Sequence, residues 1–175
     1  MTSPRKKGAV PRGLLARLKR IVGSRNVGDD PASRLACESD ALTLYRCKPL
    51  AVVSPGSREE VVQVVSELHA AGVPFAARGA GTGLSGGLLV PEGGVILALA
   101  RLDRILSLHP KEGHAVVEPG VVNAEVSRAA APFGLRYAPD PASQSVSTLG
   151  GNLAENAGGP HCFLHGMTSP HILFA

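Results

Sequence analysis

The sequence predicts an α/β fold (α+β in some classifications). Three observations carry that prediction: a strand–helix–strand unit at residues 50–78, an apolar run at Gly94–Leu99, and glycine concentrated in two places. A strand–helix–strand unit favours parallel pairing, because a parallel partner can be reached only through a long crossover connection. Of the 21 glycines, seven lie between Gly79 and Gly94 and five between Gly150 and Gly166. Glycine clustered this way brings the backbone close to something.

The elements follow in order. Residues 1–9 read as a disordered basic arm. From Val10 to Val22 the apolar positions Leu14, Leu15, Leu18, Ile21 and Val22 recur at helical spacing, with Arg12, Arg17, Lys19 and Arg20 between them. A basic amphipathic helix can lie on an anionic membrane, or pack its stripe on its own domain. This stripe is short and has no aromatic anchor, so packing is expected. The basic arm and helix, residues 1–34, are set apart from the domain proper, residues 35–175. Leu50–Ser54 is a short strand stopped by Pro55. Ser57-Arg58-Glu59-Glu60 is a capping box, and the helix it opens runs through Val61, Val64, Val65 and Leu68 to Gly72. Pro74–Arg78 is a second strand and Gly94–Leu99 a buried third. Leu106–His109 and Ala115–Glu118 flank the turn Pro110–Gly113 as a hairpin. Asn123–Ala131 is a helix ended by Pro132 and Gly134, residues 137–147 are a loop, and His171–Ala175 reads as a strand beginning where the sequence stops.

Composition narrows the function classes. Hydrophobic residues make up 44% but aromatics only 3%, with no Trp, so the core is built mostly from Ala, Val and Leu. The net charge of +4 comes from the N-terminus: residues 1–25 hold eight Lys and Arg and no acid, which leaves ten basic against 14 acidic residues, a net −4, for the rest. A nucleic-acid surface is therefore not expected on the globular part. Three scattered cysteines, Cys37, Cys47 and Cys162, suggest no disulfide framework and point to a reducing cytoplasm. No apolar run reaches the ~18 residues of a membrane span, and no apolar core or cleavage site marks a signal peptide.

The first glycine cluster, Arg78-Gly79-Ala80-Gly81-Thr82-Gly83-Leu84-Ser85-Gly86-Gly87, contains a literal GxGxxG from Gly81 to Gly86. A Rossmann fingerprint must open a helix, yet Pro91, Gly93 and Gly94 come too soon and the next periodic segment is a strand. The loop can still receive an anion, since successive glycines let backbone N–H groups form a concave nest, with the Thr82 and Ser85 hydroxyls as further donors. A plain surface turn is the competing explanation, but a turn needs one or two glycines and not five in nine residues. The second cluster, Pro139 to Gly159, is dominated by small side chains and amides. Such a segment can lie flat against an aromatic ring system.

Together these motifs resemble a known family. The strings PFAARGAGTGLSGG, VVEPGV, APDPASQ and GGNLAENAGGPH, in that order, are similar to FAD-linked oxidases with the vanillyl-alcohol-oxidase, or p-cresol methylhydroxylase (PCMH), type of FAD-binding domain. Within that family the group of glycolate oxidase and D-lactate dehydrogenase is the nearest in motif, and the resemblance runs from about Leu35 to the last residue. It implies a domain of two α/β subdomains that binds FAD. The loop Arg78, Gly79, Ala80, Gly81, Thr82, Gly83, Leu84 and Ser85 would wrap the pyrophosphate. Pro139 with Ser147, Thr148, Gly150, Gly151 and Asn152 would line the ring and ribityl side. Asn156, Gly158 and Gly159 would lie near the isoalloxazine, with Gly166 also near the flavin. Some members attach the flavin through a His in the first loop. No His occurs between Arg78 and Gly87, so non-covalent FAD is expected.

The resemblance implies oxidation of a small 2-hydroxyacid. It also implies that the domain is incomplete at its C-terminal side, without the substrate-binding cap and the residues that bind and deprotonate the substrate. No catalytic residue is therefore expected here; a companion subunit could complete the enzyme, and alone the chain is expected to be an inactive FAD-binding fragment. The sequence departs from the family pattern at His165, where an aromatic is usual, and at Pro170, where Asn is usual; Pro cannot donate a backbone hydrogen bond. His161-Cys162-x-x-His165 offers three possible ligands without a matching partner elsewhere, so no metal is expected. His69 reads as a solvated helix residue, His109 and His114 as surface residues beside a turn, and Asp40 as structural.

Overall fold

The computed structural model describes residues 11–175. The basic arm expected at residues 1–9, and Val10 at the start of the first helix, lie outside them. The described chain forms two compact units: one up to Arg78 plus Gly83–Arg101, the other Gly79–Thr82 plus Leu102–Ala175.

In the first unit the elements are helix α1 (Leu14–Val22), strand β1 (Val27–Gly28), helix α2 (Pro31–Leu35), strand β2 (Ala51–Val53), helix α3 (Arg58–Ala71), and strands β3 (Phe75–Arg78) and β4 (Val95–Ala98). Helix α3 starts where the expected capping box lies: the Ser57 hydroxyl accepts the Glu60 N–H at 3.2 Å. The Glu60 carboxylate reaches one residue further back than the usual box and takes the Gly56 N–H at 2.7 Å. Gly72 ends the helix with φ of 62°, a left-handed cap that favours glycine.

The sheet order is β1-β2-β4-β3, with β2 and β3 both parallel to β4 and β1 antiparallel to β2. The strands flanking α3 are thus parallel, as expected, but are not neighbours. The most apolar strand takes the central place: Val95 and Ile96 are fully buried and Leu97 nearly so. Val95 and Leu97 share one face with Ala51 and Val53, and that face is covered by Leu14, Leu18 and Val22 of α1 and Val64 and Leu68 of α3. The stripe on α1 therefore packs on its own unit, the outcome its lack of aromatic anchors favoured.

The second unit contains strands β5 (Ile105–His109) and β6 (His114–Val117), then helices α4 (Asn123–Ala130), α5 (Leu149–Glu155) and α6 (Cys162–His165). The expected hairpin is present, with His109 opposite His114 and their rings stacked at 4.5 Å. Helix α4 ends in a 3₁₀ turn containing Pro132, closed by Gly134 at φ of 69°. A small core gathers Val121, Val126 and Leu149.

Helix α5 runs through the second glycine cluster. One expectation is corrected. The strand expected at His171–Ala175 does not form; a 3₁₀ turn, Ser169–His171, stands there with Pro170 in its first turn. Pro170 has the fixed φ such a turn uses and cannot donate to a strand ladder.

Candidate cofactor site

Strand β3 feeds the first glycine loop, and the next regular element is β4 and not a helix, so the GxGxxG string has no Rossmann context. Among the described residues, none of the backbone N–H groups from Gly79 to Ser85 donates a hydrogen bond. Seven consecutive amides without an acceptor are what an anion-receiving loop presents. Gly81 (φ 76°) and Gly86 (φ 74°) adopt the left-handed conformation that such a loop needs.

Within the first unit the loop is braced by the segment after α2. The Arg78 guanidinium donates to the Ser39 carbonyl at 3.0 Å. The Ala41 N–H donates to the Gly83 carbonyl at 3.2 Å. The Asp40 carboxylate, only 6% exposed, accepts the Gly86 N–H at 2.7 Å and the Leu42 N–H at 2.9 Å. The structural role expected for Asp40 is thus given a geometry. Leu84 and Ser85 are exposed at the loop tip.

Within the second unit, Gly79 lies directly against Thr148: a Cβ on Gly79 would collide with the Thr148 hydroxyl. That contact brings the first residues of one glycine cluster to the helix inside the other. The Thr148 hydroxyl also faces the Gly151 N–H at 3.4 Å as the N-cap of α5. A Cβ on Gly150 would stand 2.7 Å from the Pro119 Cβ, so a close approach explains this glycine. Asn156 ends α5 at φ of 47°, and its side-chain oxygen accepts the Ser169 N–H at 2.9 Å.

Gly159 has no room for a side chain beside the Asp140 carbonyl. The next polar residue, His161, binds the Asp140 carboxylate twice, through its backbone N–H at 3.3 Å and its ring Nδ1 at 2.5 Å. The His161 hydrogen bond holds the Asp140 carboxyl below its ordinary value. Burial pushes the Tyr137 phenol up. Gly166 (φ 81°) follows α6, and its N–H donates to the Cys162 carbonyl at 2.8 Å.

The loop before α5 is held by a residue that sequence reasoning missed. Asn123, at the start of α4 and 1% exposed, donates from Nδ2 to the Pro139 carbonyl at 3.1 Å, and its backbone N–H donates to the Ser147 carbonyl at 2.9 Å. Nothing in its local pattern distinguished it from a routine helix-start residue. The Ser147 Oγ and the Asn152 Nδ2 are buried without a partner among the described residues. Burying a polar atom unpartnered is unfavourable, and both residues are in the expected cofactor set. Among the described residues no three His, Cys, Asp or Glu side chains converge as metal ligands. The ring of His161 is turned to Asp140, and that of His165 meets Arg136 Nη2 at 2.9 Å.

A glycine loop of unpartnered amides on an α/β scaffold is an arrangement that can receive a phosphorylated ligand. The model of the FAD binding domain family matches residues 49–175, and the chain belongs to that family. It is similar to glycolate oxidase subunit GlcD of Escherichia coli (strain K12), 49% identical over 136 residues, covering 78% of this chain and 27% of that protein. It is 34% identical over 164 residues to glycolate oxidase subunit GlcD of Bacillus subtilis (strain 168), covering 94% of this chain and 35% of that protein. Among solved structures, alkyldihydroxyacetonephosphate synthase has the same fold, with a TM-score of 0.83 at 22% identity over 95% of this chain and 32% of its own. The chain thus spans about a third or less of the relatives it matches. No described helix is long and apolar enough to cross a membrane.

The described residues fit FAD on two counts. The unpartnered amides from Gly79 to Ser85 suit a pyrophosphate, and the buried Ser147 and Asn152 atoms lack the polar partner a ligand can supply.

Proposed function

We propose that this chain is the FAD-binding portion of a flavin-dependent dehydrogenase or oxidase of small 2-hydroxyacids, of the glycolate or D-lactate type. The observation that carries the reading is the run of seven backbone amides, Gly79 to Ser85, with no acceptor among the described residues. In this reading Arg78, Gly79, Ala80, Gly81, Thr82, Gly83, Leu84 and Ser85 hold the pyrophosphate. Pro139, Ser147, Thr148, Gly150, Gly151 and Asn152 line the ring and ribityl chain, and Asn156, Gly158, Gly159 and Gly166 border the flavin. FAD supplies the two-electron acceptor. The protein's part is to orient it: Thr148 and Asn123 fix the segments on which these residues stand, and the Asp140–His161 pair ties down Gly159. Attachment is non-covalent, because the loop holds no His.

Substrate turnover belongs to a larger whole, since this chain spans 27% of one glycolate oxidase subunit GlcD and 35% of another. That reading is supported by exposed apolar side chains in the second unit: Phe163 at 102%, Leu173 at 75% and Phe174 at 76%. Cys37, Cys47 and Cys162 have no disulfide partner, which suits the reducing cytoplasm.

The test is the visible absorption spectrum of the purified 175-residue chain after FAD is added and the excess removed. A retained flavin band, shifted from that of the free cofactor and released on denaturation, is expected. A colourless protein refutes FAD binding by this chain, and flavin that stays attached after denaturation refutes non-covalent binding.

A further inference from the structure

We infer that Asp40 is a positioning residue. It shapes the glycine loop for the cofactor pyrophosphate and ends the anion-receiving run at Ser85 by taking the Gly86 N–H for itself. The inference rests on the FAD reading above.

Three consecutive residues of the segment after α2 reach the loop or the strand that feeds it. Ser39 accepts from Arg78 at 3.0 Å, Asp40 accepts from Gly86 at 2.7 Å, and Ala41 donates to Gly83 at 3.2 Å. Asp40 is 6% exposed although Leu44 and Tyr45, a few residues on, are 75% and 64% exposed. A buried carboxylate is unfavourable unless it is paired or well hydrogen-bonded. No cation pairs with Asp40 among the described residues; its charge is met by the N–H groups of Gly86 and Leu42.

A buried acid close to a loop meant for an anion opposes binding by charge alone, so a geometric role must account for it. Gly86 is in the left-handed region at φ of 74°, and the carboxylate fixes its N–H toward Asp40. The amides of Gly83, Leu84 and Ser85 are left without an acceptor, while Gly83 is held through its carbonyl. The segment thus separates amides that brace the loop from amides that are offered to a ligand.

The test combines amide hydrogen exchange with FAD titration on the full chain. In the wild type without FAD, the Gly86 amide is expected to be protected while those of Gly81 to Ser85 exchange fast; FAD then protects the latter. Asp40→Asn keeps the shape but turns a donor NH2 toward one of the two N–H groups. Losing a charge-assisted hydrogen bond of this kind weakens FAD binding roughly tenfold. Val64→Ala, on the core face of α3, serves as a variant that lowers stability away from the loop, and its FAD dissociation constant is expected to stay within about twofold of wild type.

An Asp40→Asn dissociation constant equal to wild type overturns the inference. So does Val64→Ala weakening binding as much as Asp40→Asn, or a wild-type Gly86 amide that exchanges as fast as its neighbours, a result that needs no variant to fold. Failure of the wild type to bind FAD is a separate outcome. It removes the cofactor reading, and this inference with it.

Discussion

Gly150 and Gly151 are adjacent in α5, and replacing each with Ala should move stability in opposite directions. Both lie in the first turn of α5, where alanine gains at most the advantage of about 1 kcal/mol that it has over glycine in a helix interior. At Gly150 that gain is outweighed: the new Cβ stands 2.7 Å from the Pro119 Cβ and 3.0 Å from the Pro119 carbonyl oxygen. The backbone of Gly150 is itself bound to that carbonyl at 2.8 Å, so the helix cannot back away without losing the bond. Overpacking costs about 1–3 kcal/mol and a lost backbone hydrogen bond about 0.5–1.5 kcal/mol. The net for Gly150→Ala is a destabilisation of roughly 1–3 kcal/mol. At Gly151 the new Cβ meets only the Thr148 Oγ at 3.3 Å, so Gly151→Ala lies between neutral and about 1 kcal/mol stabilising. Urea unfolding of the FAD-free variants measures both. Equal destabilisation by the two substitutions, or a Gly150→Ala variant as stable as wild type, refutes the close-approach explanation of Gly150.

Two further expectations are simpler. The carboxyl of Asp140 is held below its ordinary value by the hydrogen bond from His161. Its folded value therefore lies below its unfolded one, so the stability it contributes is complete above about pH 3.9 and is lost as pH falls through the depressed folded value. An NMR titration of the Asp140 carboxyl carbon should show that depression in the wild type and its relief in His161→Ala; coincident curves would dismiss the pair. Leu18 is fully buried between α1 and the sheet, so Leu18→Ala should cost about 2–5 kcal/mol in unfolding free energy. A loss under about 0.5 kcal/mol, typical of surface substitutions, would mean that α1 does not pack.

The sequence was most legible where a local signal and its structural consequence involve the same few residues. Ser57, Glu60 and Gly72 marked both ends of α3, because capping chemistry acts within one helical turn. The strand order was not legible. Hydrophobicity shows that Val95–Leu97 is buried, but that β2 flanks it depends on contacts with residues more than forty positions earlier in the chain. Helix α5 was hidden by Gly150 and Gly151, which argue against a helix on propensity. Gly150 is there because Pro119 leaves no space for a Cβ, a fact of packing alone. The terminal strand was over-read from an apolar run, although Pro170 just before it favoured a turn. For the cofactor loop, the resemblance supplied the residues, whereas the division of labour between Gly83–Ser85 and Gly86 required the position of Asp40.

The place of β4 has a consequence for how the protein is made. Strand β4, which lies between β2 and β3, is the last of the four to leave the ribosome, so β2 and β3 emerge with no partner for the edges that β4 will join. Until Val95–Ala98 is available, the edge strand β3 has no ladder at all, and β2 has only the short antiparallel pairing with β1. The nascent chain must therefore hold Ala51, Val53 and the stripes of α1 and α3 without their sheet while more than a dozen further residues are added after β3. Such exposed strand edges invite wrong pairing. Final closure of the first unit is thereby postponed until the whole glycine loop has been synthesised.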